Sequence, residues 1–140
     1  MSNPRWIRCA HEAGHVVLAL HFKMSVLSAT VPMPDGQGSH SEINFGTSTS
    51  EEMAAVFMAG ETGEQLIIGK ISFVGAFNDI GQVSIIAELK DLNSTSLRNE
   101  GVEKAKAILP NYKDAVNRVA NALQCQVNLS ENELIDLFNG

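Results

Sequence analysis

The stretch CAHEAGHVVLALHF, residues 9–22, decides how the rest of the chain is read. Around it, from Pro4 to Lys23, the apolar residues Trp6, Ala10, Ala13, Val17 and Leu20 recur at steps of three and four, the period of a helix with one buried face. His11 and His15 are separated by about 40° of rotation and ~6 Å of rise on such a helix, so their imidazoles project side by side and can share one tetrahedral zinc. Glu12 stands about 100° round from His11, outside that shared face but able to reach a water on the open side of a metal, the position of a general base. Gly14 lies inside the same helix, where glycine costs about 1 kcal/mol relative to alanine, so something must approach the backbone there closely.

A catalytic zinc takes three protein ligands and leaves a fourth place to water, so the pair of histidines is incomplete. His21 lies nearly two turns beyond His15 and reads as a satisfied or solvated histidine. His40 falls in a polar turn, and Cys9 points to the far side of the helix from His11. The acidic residues are the better candidates for the third ligand.

Further along, SVLSATVPM (residues 25–33) and HSEINFG (residues 40–46), joined by the Gly-containing PDGQGS, read as two short strands and their turn. Thr49 and Glu52 have the spacing of a capping box, and the helix they open runs to Gly69 as its C-terminal stop. After a break at KISFVGAF (residues 70–77), a third helix covers residues 78–92, with two more over about 97–109 and 111–124. A second capping box, Ser130 with Glu133, opens the tail helix. The expected fold is α+β, mostly helical, forming one domain over residues 1–140.

Bulk properties agree with a single globular unit: 140 residues, 44% hydrophobic and 19% charged, are enough for a core without disulfide or metal staples. The net charge of -6 opposes electrostatic capture of nucleic acid or anionic lipid, so neither is an expected partner. No stretch approaches the ~20 apolar residues of a membrane span, and no membrane insertion is expected. Cys9 and Cys125 lack C-x-x-C spacing and read as reduced thiols, which places the protein in the cytoplasm.

HEAGH at 11–15, AGETGEQLIIG at 59–69 and VGAFNDIGQVS at 74–84 together, in this order and spacing, resemble the peptidase domain of the FtsH family of ATP-dependent zinc metalloproteases. The likeness continues through EKAKAILPNYKDAVNRVANAL (residues 103–123) and ELIDLF (residues 133–138), covering roughly residues 5–138. It implies a zincin-like helix bearing H-E-x-x-H, a small hairpin or sheet, and a C-terminal helical bundle. It also implies Asp79 as the third zinc ligand and Glu64 as an acceptor behind a ligand histidine. The residue pattern suits both: Asp79 shares a stripe with Val83 and Ile86, and Glu64 one with Met53, Phe57, Gly60 and Ile67, so both carboxylates turn inward, where they are costly unless partnered.

The chain departs from the family in several places. It has neither the ATPase module nor the membrane segments, and GEQLIIGKI at 63–71 has the wrong glycine spacing for a phosphate loop. Glu61 follows Gly60 where the family has arginine, Gln65 replaces a glutamate, and Val74 replaces a threonine. The implied function is a zinc-dependent endopeptidase acting on peptides or unfolded polypeptide, ATP-independent by itself, with Glu12 as general base and a strand at Val26–Val31 or Ile43–Phe45 holding the substrate by its edge. A homo-oligomer or a separate unfoldase partner fits the same likeness. The alternatives are a non-catalytic binding or regulatory module on this fold, a zinc-stabilised domain without turnover, and a repressor-cleaving H-E-x-x-H protease of the ImmA/IrrE type.

Overall fold

Asn3 starts the first helix: its side chain accepts a hydrogen bond from the Arg5 amide, and Pro4 occupies the first helical position, where its missing N–H is not needed. The computed structural model describes residues 3–72 and 75–140. In chain order these form α1 (Pro4–His21), β1 (Ser25–Thr30), β2 (His40–Asn44), α2 (Ser50–Ile68), α3 (Ala76–Leu89), α4 (Ser94–Ile108), a 3-10 turn (Leu109–Tyr112), α5 (Lys113–Cys125), β3 (Asn128–Ser130) and α6 (Glu131–Asn139). The fold is mostly helical with one small antiparallel sheet. Among the described residues, no helix is long and apolar enough to cross a membrane.

α1 is the central element, with Val16, Val17 and Leu18 fully buried against α2, α5 and the sheet. Its crossing with α2 is unusually close because glycines face each other. A Cβ on Gly14 would strike the Ala59 carbonyl, and one on Gly63 would come within 2.5 Å of the Ala10 carbonyl. The close approach expected at Gly14 is therefore with α2. At the other end of α1, the buried Arg5 guanidinium donates to the carbonyls of Val31, Leu123 and Gln124, tying the helix to the end of β1 and to the last turn of α5.

Both expected capping boxes form, Thr49 with Glu52 on α2 and Ser130 with Glu133 on α6, and Gly69 ends α2 in the left-handed conformation. The C-terminal helices do not make a bundle of their own. α4 packs chiefly on α2, whereas α5 packs on α1 with α6 beside it. Gly101 of α4 lies against the backbone of Ala54, and the 3-10 turn holding Pro110 redirects the chain between the two helices.

The sheet order is β2-β1-β3, with β3 unannounced by the sequence. β1 is thus the central strand, paired with β2 on one side and through Ser28–Thr30 with β3 on the other. A register shift between Val26 and Ser28 makes Leu27 an extra residue, so Val26 and Ala29, three apart, both face the core while Leu27 points out. Of the two strands expected to offer an edge, Val26–Val31 is enclosed, and the outer edge belongs to β2.

Candidate metal centre

Two imidazoles and one carboxylate converge where α1 meets α2 and α3. His11 and His15 project from the same face of α1, their ring centroids 4.6 Å apart, and both are buried. Each ring is fixed from behind. His11 Nδ1 donates to Glu64 Oε2 at 2.7 Å, and His15 Nδ1 donates to the Val56 carbonyl at 2.6 Å. With both Nδ1 atoms engaged, both Nε2 atoms face inward, the arrangement in which outer partners set the tautomer of metal-binding histidines.

Asp79, in the first turn of α3, supplies the third group. Its Oδ2 lies 3.0 Å from His11 Nε2 and 3.6 Å from His15 Nε2. These are contacts of distance rather than directed hydrogen bonds, and Asp79 Oδ2 is a buried oxygen without a hydrogen-bond partner. One ligand atom from each of the three residues falls within 4.8 Å of the other two, the only such cluster among the described residues. A buried carboxylate oxygen without a hydrogen-bond partner, beside two converging imidazole nitrogens, is a donor set that could hold a divalent cation.

Glu64 is fully buried, and its second oxygen accepts from the backbone and the hydroxyl of Ser72. Its place behind His11 is the one expected from the sequence. Gly60 makes room for the ring, since a Cβ there would meet the His11 imidazole. Burial opposes charge on every member of the cluster, but their mutual attraction outweighs it. The Asp79 and Glu64 carboxylates hold His11 up at about 9, and Asp79 likewise raises His15. In return the two imidazoles hold Asp79 well below the carboxylate range, and His11 and Ser72 lower Glu64. Glu61, partly buried nearby, is pushed upward by burial and then by the Glu64 charge.

Glu12 stands beside this cluster and is not part of it. Its carboxylate is buried and accepts from Ser41 Oγ at 2.7 Å on one oxygen and from Ser39 Oγ at 3.1 Å on the other. Arg8, one turn earlier, lies 3.7 Å from the second oxygen and donates through Nε to Ser39 Oγ at 2.7 Å. A cavity of about 130 Å³ opens between α1, β2 and α3, lined by His11, Glu12, His15, Asp79, Ser41 and Ile43.

The other residues weighed as ligands lie elsewhere. His40 is exposed on the cavity rim, its Nδ1 donating to the Gly38 carbonyl. His21 is satisfied by the Tyr112 hydroxyl at 2.7 Å. Cys9 is buried with its thiol pushed up to about 11 chiefly by burial, and both cysteines are free. Val74, one of the departures from the family pattern, lies outside the described residues. Sequence reasoning missed Arg8, Ser39, Ser41 and Ser72. Only Arg8 carried a signal, the four-residue helical spacing to Glu12. No protein-family model matches the chain, and no curated protein matches it.

Proposed function

We propose that this chain is a zinc-dependent endopeptidase of zincin-like architecture, similar to the peptidase domain of the FtsH family, with His11, His15 and Asp79 as the metal ligands. The observation that carries this reading is the orphaned Asp79 Oδ2 facing two imidazole nitrogens whose rings are already oriented from behind. Zinc bound there supplies Lewis acidity toward a water and a peptide carbonyl.

The chain's own groups do the rest. Glu12, at the wall of the cavity, takes the proton of the attacking water and hands it to the leaving amine. Glu64 holds the Nδ1 proton of His11 and so leaves Nε2 as the nitrogen that faces the metal site. The outer edge of β2 pairs with an extended peptide by backbone hydrogen bonds, which favours unfolded or flexible substrates and gives weak sequence preference. Without an ATPase module in these residues, folded substrates need a separate unfoldase. Two free cysteines suit a reducing compartment, the cytoplasm.

The test is metal content by elemental analysis and hydrolysis of an internally quenched peptide, for the wild type beside Glu12→Gln and Asp79→Ala. Glu12→Gln is expected to keep zinc and lose hydrolysis, and Asp79→Ala to lose both. Zinc-loaded wild-type protein that cleaves no peptide or unfolded protein sinks the enzyme reading. Normal zinc binding by Asp79→Ala sinks the ligand set.

A further inference from the structure

Both oxygens of the Glu12 carboxylate are held by hydroxyls of one loop-and-strand segment, and neither hydroxyl is explained by the metal ligands. Ser41 lies on β2, whose alternation turns Ser41 and Ile43 toward the cavity while His40, Glu42 and Asn44 are exposed. Ser39 ends the turn before β2. Its hydroxyl accepts from Arg8 Nε at 2.7 Å, which leaves its own proton directed at Glu12 Oε2, 3.1 Å away. Ser41 gives its proton to Oε1 at 2.7 Å.

A carboxylate has about four lone-pair positions. The two serines take one on each oxygen, which pins the side chain while leaving a position on each oxygen for a water. A buried carboxylate on a long side chain, without such pins, is free to swing toward the imidazoles beside it.

We infer that Ser39 and Ser41 are positioning residues through which the β1–β2 hairpin, the element with the open substrate edge, sets the orientation of the Glu12 carboxylate. The inference rests on the peptidase reading for its consequence and on hydrogen-bond geometry for its mechanism. A peptide strand docked on β2 then lies along the same segment that already aims the base. Arg8 acts one step further back, fixing Ser39 from α1.

Three measurements on the full chain test this. In the zinc-loaded protein, Ser41→Ala is expected to lower kcat for an internally quenched peptide about 10- to 100-fold, the loss of one hydrogen bond to a charged group. KM and zinc content stay at wild-type values, and Ser41→Thr, which keeps the hydroxyl, recovers most of the rate. Ser39→Ala moves in the same direction by less, because Arg8 still faces Glu12. In a Glu12→Gln background, Ser41→Ala causes no further loss, the non-additivity of two groups acting as one.

The third measurement needs no turnover. Amide hydrogen exchange over residues 39–44 is expected to quicken in Glu12→Ala, with Ser39→Ala and Ser41→Ala adding nothing to it. Unchanged exchange in Glu12→Ala overturns the clamp, whatever the turnover. Wild-type kcat in Ser41→Ala overturns the positioning role and leaves the peptidase reading standing. An inactive zinc-loaded wild type with quickened exchange in Glu12→Ala overturns the peptidase reading and leaves the clamp standing.

Discussion

The two histidines and the aspartate reach the same point from regions built in opposite ways. The histidine side is a backbone-to-backbone crossing of α1 and α2, with Gly14 and Gly63 in contact, a capping box at the start of α2 and a fully buried Glu64 behind the ring. The aspartate side is α3, whose first turn has no side-chain cap and starts from a left-handed Gly75, and whose outer face leaves Phe77 92% and Leu89 79% exposed. α3 is held to α2 and α4 chiefly through Val83 and Ala87. One wall of the site is fixed by the core, and the other is held by a smaller cluster.

Substitutions should therefore sort by wall. The largest effect belongs to Gly63→Val, which forces side-chain atoms into the Ala10 carbonyl; overpacking of this kind costs about 1–3 kcal/mol and occasionally more, and here backbone cannot yield. Thermal melts should show the whole chain destabilised, with zinc binding lost alongside. Asp79→Ala should lower the metal-free melt by less than Gly63→Val, through the lost attraction to the two imidazoles, while zinc affinity collapses. A loss of metal-free stability as large as that of Gly63→Val would mean that α3 is as integral as α2.

Glu64→Gln tests the histidine wall more gently. It keeps the shape but removes the charge behind His11, and losing such an outer partner typically costs about 10–100-fold in metal affinity. Competition with a zinc chelator gives the number. A loss as great as that of Asp79→Ala would erase the distinction between ligand and support.

The smallest effect is on pH. His11 is raised from its ordinary 6.5 to about 9, so its contribution to metal-free stability is fully present below 6.5 and fades as pH rises toward and through 9. Asp79 is lowered, so its contribution is present above the ordinary 3.8 and fades as pH falls below that. The metal-free protein should melt highest between these limits. Zinc must displace the imidazole protons, so the rise in melting temperature that zinc gives should grow from pH 6 to pH 9, as calorimetry with and without metal would show.

The same division governs what the sequence discloses. The histidine wall is written in local patterns: apolar residues at steps of three and four, a glycine inside a helix, Thr49 three residues before Glu52. Asp79 was legible through a motif and through its stripe with Val83 and Ile86. β3 was not, because three residues ending in the cap of α6 are too few to show alternation. α4 begins at Ser94, ahead of the expected 97, because Asn93 caps it with its side chain accepting from Ser96. Ser39, Ser41 and Ser72 were invisible for a different reason. A hydroxyl acquires its partner only when distant segments meet, and no periodicity records that.

Arg5 has a consequence for the metal centre that its distance conceals. Its guanidinium fastens the first turn of α1 to α5 and to the end of β1, and the glycine crossing fastens the same helix two to three turns further on. A rod pinned at two points can neither roll nor slide. His11 lies between the pins and His15 one residue past the second, so the bearings of both imidazoles are settled by the apo fold. Under the proposed metal reading, an incoming ion would meet a pair of imidazoles oriented in advance.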